Sequence, residues 1–402
     1  MKSKFFRLCL LACIPLFSVA CSNSKKPSVS GNEFFIEGEI SDVKNGAVIE
    51  LYRKDGNSLT RIASEKLRNG RFILKAEATS ETELMNIGVT GDGFPSTLIS
   101  IWVTPGVKIK IKGNGKLHPL WEVESSVPYQ QEENLYAYNN HDITAEMSRL
   151  NVERNALRKA RNASTGDKAL AYKAAADSVE AISDALRDKQ YFAYMDIMEK
   201  TDISPVWLDK MEGIAGILKY SDDGSEHYSE HRKKAEALYG RMSEEDKATL
   251  IGSKITAFLF PPIIVEVGGD MADADFFDVD GNTKHISDYL GKYLLLDFWF
   301  SNCGPCIAAI PEMKEISETY KEKLTIISIS MDSDAVWKKA MDEHDMSWVN
   351  IRDPKSFGGL AANYGVYGMP HYILISPEGK ITAQGSGYSK GSLKARISEY
   401  VK

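Results

Sequence analysis

Two cysteines three apart, Cys303 and Cys306, are the residues of this chain best suited to chemistry. A thiolate attacks a disulfide sulfur, and a second thiol within reach can attack the mixed disulfide so formed, passing two electrons between sulfur pairs. The surrounding residues indicate which cysteine does which. Tyr293 to Phe300 is apolar and aromatic apart from Asp297, the pattern of a strand buried on both faces. Cys306 to Tyr320 has helix-forming composition, with Ile307 and Ile310 at helical spacing and Pro311 as a kink. A strand-to-helix junction puts Cys303 at a helix N-terminus, where free N–H groups and the macrodipole favour a thiolate. Cys303 is the candidate nucleophile, and Cys306, on the same helical face and within disulfide reach, the candidate resolving thiol. The spacing also suits half of a zinc site, but such sites normally need four ligands and a second close pair. The other cysteines, Cys9, Cys13 and Cys21, all sit near the N-terminus. No metal is expected, and the only redox group required is a Cys303–Cys306 disulfide.

The stretch Asp297-Phe298-Trp299-Phe300-Ser301-Asn302-Cys303-Gly304-Pro305-Cys306 resembles the active-site stretch of thioredoxins. A longer series, Asp275-Phe276-Phe277, Asp280-Gly281-Asn282, Gly291-Lys292, the cysteines and Met369-Pro370, resembles the TlpA/ResA-type membrane-tethered thiol-disulfide oxidoreductases over about the last third of the chain. The resemblance implies that the Met369 backbone holds substrate in strand-like pairing, while a cis Pro370 shapes the pocket beside Trp299, Asn302, Gly304 and Pro305. It also implies that Asp297 accepts the proton of Cys306. Gly304-Pro305 matches reducing thioredoxins, whose potential lies near roughly −270 mV. Three departures bear on substrate and potential. Asn302 stands where Trp is usual, Ala309 where ResA-type proteins carry an acid, and Ser328 where thioredoxins place a Lys near the buried acid. His371, beside the Met369-Pro370 step, reads as a structural histidine or a proton donor.

The formal charge is −7, and without residues 1–20, which hold Lys2, Lys4 and Arg7, 46 basic residues face 56 acidic ones. Such an acidic chain is not suited to nucleic acid. Residues 1–20 read as an export signal: basic start, apolar Leu8 to Phe17, then small Ser18 and Ala20. The run is too short to span a bilayer and contains Pro15. Ser18-Val19-Ala20-Cys21 resembles a bacterial lipobox, which implies a lipid on Cys21 and a tether over 21–32. An exported protein sits where disulfides persist. The expected location is therefore the cell envelope, anchored to a membrane and facing the periplasm, with protein disulfides as substrates and a membrane electron donor as partner.

At 402 residues the chain suits two or three domains. Residues 33–127 show strand segments, among them Val48 to Tyr52, Phe72 to Lys75 and Lys108 to Lys112, separated by Asn45-Gly46, Asp55-Gly56, Asn69-Gly70 and Pro105-Gly106. An antiparallel sandwich is expected, resembling the β domain that precedes thioredoxin domains in some Gram-negative lipoproteins. Trp102 and Trp121 suit its core. Residues 128–260 are rich in Ala, Glu, Lys and Arg and read as a helical spacer or partner-facing surface, with helices over Ala169 to Lys200 and Pro205 to Tyr220. Residues 261–402 form the thioredoxin-like domain. Strands at 293–300 and 324–330 and helices at 334–344 and 357–364 precede a hairpin, 372–375 with 381–384, and a helix at 391–400, giving a central mixed sheet covered on both faces. A disulfide reductase is the leading expectation. An isomerase or peroxidase of the same fold, or a binding module with vestigial thiols, are the alternatives.

Overall fold

The computed structural model describes residues 31–55, 58–366 and 368–402. The export signal, Cys9, Cys13, Cys21 and the tether up to residue 30 lie outside them. Eight strands come first: β1 (Glu33–Ser41), β2 (Val48–Asp55), β3 (Ser58–Lys66), β4 (Arg71–Glu77), β5 (Glu83–Thr90), β6 (Leu98–Val103), β7 (Lys108–Asn114) and β8 (Glu122–Glu124). They make two four-stranded sheets, ordered β4-β1-β7-β8 and β3-β2-β5-β6. Alternation sets the faces: Ile109 and Ile111 of β7 point into the core, while Lys108, Lys110 and Lys112 point out. Arg71 hydrogen-bonds back to Arg68 across Asn69 and Gly70, both at positive φ, and a Cβ on Gly70 would lie 2.4 Å from the Ile40 carbonyl oxygen.

Seven helices follow: α1 (Pro128–Asn139), α2 (His141–Asn162), α3 (Gly166–Met198), α4 (Pro205–Tyr220), α5 (Glu226–Tyr239), α6 (Glu244–Ala248) and α7 (Leu250–Leu259). The expectation of a spacer is corrected here. Met195, Trp207, Met211, Leu238 and Phe258 join Phe34, Ile49, Ile101 and Trp102 of the sheets in one continuous apolar core. Amphipathic helices with buried faces need a partner, and the sheets supply it. Trp102 and Trp121 are both buried in this unit.

The last part holds β9 (Phe276–Phe277), β10 (Thr283–Lys284), β11 (Tyr293–Trp299), α8 (Gly304–Thr319), β12 (Leu324–Ser330), α9 (Asp334–His344), β13 (Val349–Arg352), α10 (Leu360–Asn363), β14 (His371–Ile375), β15 (Ile381–Ser386) and α11 (Ser392–Tyr400). Its sheet runs β10-β9-β13-β12-β11-β14-β15, with β11, β12 and β13 parallel and β14 antiparallel beside β11. Leu294, Leu296 and Phe298 of β11 pack with α10 residues on one face. Leu295 packs with α8 and α11, and Trp299 with α8 and α9, on the other. The fold is thioredoxin-like, as expected. Helix α7 docks on the short turn Ser356–Gly358, where a Cβ on Gly358 would come within 2.5 Å of the Ser253 backbone. Beside this contact a cleft of about 530 Å³ is lined by Lys54, Lys254, Asp332, Asp334 and Arg352.

Candidate active site

Cys303 is the N-cap of α8, and its sulfur accepts the Cys306 N–H at 3.2 Å. Gly304 and Pro305 open the helix, where proline has no intrahelical N–H bond to lose. Cys303 and Cys306 are joined in a disulfide, S–S 2.04 Å with Cα atoms 5.2 Å apart. Asn302, Gly304 and Pro305 are exposed around it, whereas the two cysteines are only 6% and 4% exposed. The loop entering the helix is fixed from the neighbouring strand: the Ser301 N–H donates to the Asp332 carboxylate at 2.7 Å, and the Met331 N–H to the Trp299 carbonyl at 3.0 Å.

Trp299 is 1% exposed and packs with both cysteines, Ile310, Trp337 and Met346. It supports the disulfide from beneath, as core packing under the site rather than as part of the exposed rim formed by Asn302, Gly304 and Pro305. Met369 packs against this cluster, and the Met369–Pro370 peptide bond is cis. Pro370 is buried, and its carbonyl accepts the Gly387 N–H at 2.8 Å. His371 is buried, with Nδ1 2.7 Å from the Ser386 hydroxyl. Burial, then nearby Arg396, holds it below the usual imidazole range.

Asp297 lies between Leu295 and Trp299 along β11, so the period of two turns it toward α8. It is 3% exposed, and burial pushes its carboxyl up to about 7, against a hydrogen bond from Ser328 that lowers it. A buried acid with little to offset its desolvation is what the missing Lys at 328 leads one to expect, and the raised carboxyl agrees. No cation pairs with it among the described residues; the Ser328 hydroxyl donates to Asp297 Oδ2 at 2.8 Å and accepts from Trp348 Nε1 at 2.8 Å. Ser328 thus stands where a Lys was missed and acts by hydrogen bonding instead.

Sequence reasoning also missed Glu312, a buried carboxylate on α8. It accepts from the Tyr388 hydroxyl at 2.9 Å and from the Gly391 and Lys394 N–H groups at 2.7 and 2.8 Å, capping the start of α11. Burial pushes its pKa up, but these donors outweigh it and hold the carboxyl below its usual value. Glu312→Ala should cost about 2–3 kcal/mol, because donors of α11 lose a charged acceptor. With a lowered folded pKa, that stability is present above the unfolded carboxyl value and lost as pH falls through the folded one. Denaturant melts at pH 7 and pH 3 should therefore show the difference between wild type and variant shrinking in acid.

Residues 263–401 match the Redoxin family model. The ResA thiol-disulfide oxidoreductase of Bacillus thuringiensis subsp. konkukian is 29% identical over 140 residues, 34% of this chain and 78% of that protein. The ResA protein of Oceanobacillus iheyensis is 29% identical over 147 residues, 36% of this chain and 69% of that protein. The solved thioredoxin domain of a thiol-disulfide oxidoreductase from Bacteroides vulgatus is 29% identical, with a TM-score of 0.32, and covers 34% of this chain and 99% of that one.

Proposed function

We propose, for a chain whose residues 263–401 form a redoxin domain of thioredoxin-like fold and thiol-disulfide oxidoreductase type, that it acts as a membrane-tethered reductant of disulfides in exported proteins. The observation that carries this reading is a disulfide whose first cysteine N-caps a helix, with the exposed Asn302, Gly304 and Pro305 around it. In the reduced protein, the N–H groups of the first turn of α8 and the helix dipole stabilise Cys303 as a thiolate. That thiolate attacks one substrate sulfur, the substrate S–S bond breaks, and the first substrate thiolate leaves. Cys306 then passes its proton to the Asp297 carboxylate and attacks the Cys303 sulfur, which releases the second substrate thiolate and re-forms the disulfide. Two electrons have moved to substrate. A membrane donor must return two electrons for the next turnover, and the proton held on Asp297 goes back to Cys306.

Met369 supplies backbone for pairing with an extended substrate segment, and Pro370 closes the pocket floor. Asn302 gives the rim a hydrogen-bonding side chain in place of an aromatic one, which suits polar sequence around the target disulfide. Reduction of insulin disulfides by the dithiol form tests the activity, and a rate equal to that of free dithiothreitol at equal thiol concentration would overturn it.

The anchor rests on Cys21 at the end of the signal-like segment. A multi-chain lipid on this residue holds a protein stably at a membrane. Cys21→Ser should move the protein from the membrane to the soluble periplasmic fraction, and unchanged sedimentation with membranes would refute lipidation.

A further inference from the structure

We propose that Ser328 and Trp348 are positioning residues that set the proton affinity of the Asp297 carboxyl. This deepens the reading of Asp297 as proton acceptor, and its consequence for catalysis rests on that reading.

Ser328 is fully buried and is the register partner of Asp297 across the parallel β11–β12 pair. Trp348 lies just before β13, two residues ahead of Asn350, the register partner of Ser328. The indole ring packs against the cluster that holds Cys303 and Cys306. Three groups thus stand in a line: Trp348 Nε1–H to Ser328 Oγ at 2.8 Å, then Ser328 Oγ–H to Asp297 Oδ2 at 2.8 Å.

The order of donors matters. An indole N–H only donates, whereas a serine hydroxyl has one proton and can also accept. A free hydroxyl would serve either state of a neighbouring acid, donating to the carboxylate or rotating to accept from the protonated form. With Trp348 donating into Ser328, the hydroxyl is aimed at Asp297 as a donor, and it favours the ionised carboxyl. This opposes desolvation without burying a cation.

The other ionisable groups on this side do not replace the relay. Tyr372 of β14 lies across the register from Asp297, and its own pKa is pushed up, first by burial and then by the Asp297 carboxylate. Glu312 of α8 is taken up by α11 donors. Cys306 is in the disulfide, and Arg396 of α11 acts on Tyr372. None of them forms an ion pair with Asp297 among the described residues.

The test is the titration midpoint of the Asp297 carboxyl in the reduced full chain. It is followed by carbon-13 NMR of labelled aspartate and assigned by loss of the signal in Asp297→Asn. Ser328→Ala should raise the midpoint by about one pH unit, a tenfold gain in proton affinity. Ser328→Thr, which keeps the hydroxyl, should restore it. Trp348→Phe, which keeps the ring and removes the N–H, should raise it by less. If the alanine variant fails to fold, Trp348→Phe decides alone. An unmoved midpoint in the variants that fold, or a threonine variant that behaves like alanine, overturns the relay. The acceptor role is judged separately: wild-type resolution of the mixed disulfide in Asp297→Asn sinks that reading whatever the midpoint does. If both hold, the pH profile of resolution should shift with the midpoint in each variant.

Discussion

Cys306→Ser should accumulate mixed disulfides with substrate, and Cys303→Ser should capture none while losing disulfide reduction completely. The asymmetry comes from one turn of helix. Cys303 caps α8 and faces the N–H groups of its first turn, with exposed residues on both sides. Cys306 lies inside that turn against Trp299 and Ile310. The two sulfurs are almost equally buried, so the difference rests on the helix terminus, where only a thiolate at Cys303 gains from the free N–H groups and the dipole. Serine at 306 removes the resolving thiol and leaves the first step intact, so the covalent adduct persists. Serine at 303 removes the attacking thiolate, and a hydroxyl at neutral pH does not replace it. Non-reducing electrophoresis after mixing each variant with an oxidised protein substrate, followed by peptide mapping of the adduct, reads the outcome. Equal trapping by the two variants would reverse the assignment of roles.

The parts of this site that depend on neighbours in the chain are legible in the sequence. The buried run Tyr293 to Trp299, the junction at Cys303 and the helix that follows all appear at or near their expected places. Helix α4 begins at Pro205 because Ser204 caps it, its hydroxyl accepting the Trp207 N–H, and such local signals survive in one dimension. Partners that meet only through the fold do not. Ser328 is 31 residues from Asp297 and Trp348 a further 20, so nothing local announces their hydrogen bonds.

The helical region shows the same limit on a larger scale. Its composition reads as solvated helix, yet α1 and α4 are joined by Lys210 and Glu133, whose nitrogen and oxygen lie 2.6 Å apart with both side chains largely buried. Gln130 of α1 accepts the Trp102 N–H of β6 at 2.8 Å in the shared core. Polar residues used in this way look like surface residues until the fold brings their partners to them. The strands and helices before residue 260 therefore form one unit, and α7 carries that unit onto the turn at Gly358 of the redoxin domain.

Asp297→Asn should slow resolution of the mixed disulfide near neutral pH by roughly 100-fold, the usual scale for loss of a general base, while leaving the Cys303 attack almost untouched. It should also change how stability depends on pH. Burial raises the folded carboxyl from 3.8 to about 7, so the native state holds this proton more tightly than the unfolded chain. Below pH 4 the acid is protonated in both states and costs nothing extra. Between about pH 4 and 7 the unfolded chain releases the proton first, and wild-type stability falls as pH rises. At roughly 1.4 kcal/mol per unit, a shift of about three units amounts to about 4 kcal/mol once the pH is above 7. Asparagine carries no titration and escapes that loss, although burying its amide donors costs about 1–3 kcal/mol. The variant should thus be less stable than wild type at pH 4 and as stable or more stable at pH 8, with the two curves crossing between. Stopped-flow resolution rates and denaturant melts across this range, on the same samples, read both effects. Parallel stability curves would mean that Asp297 is ionised in the folded protein at pH 4 and held by a stronger partner than the Ser328 hydroxyl. Wild-type resolution in the variant would remove the carboxyl from the mechanism.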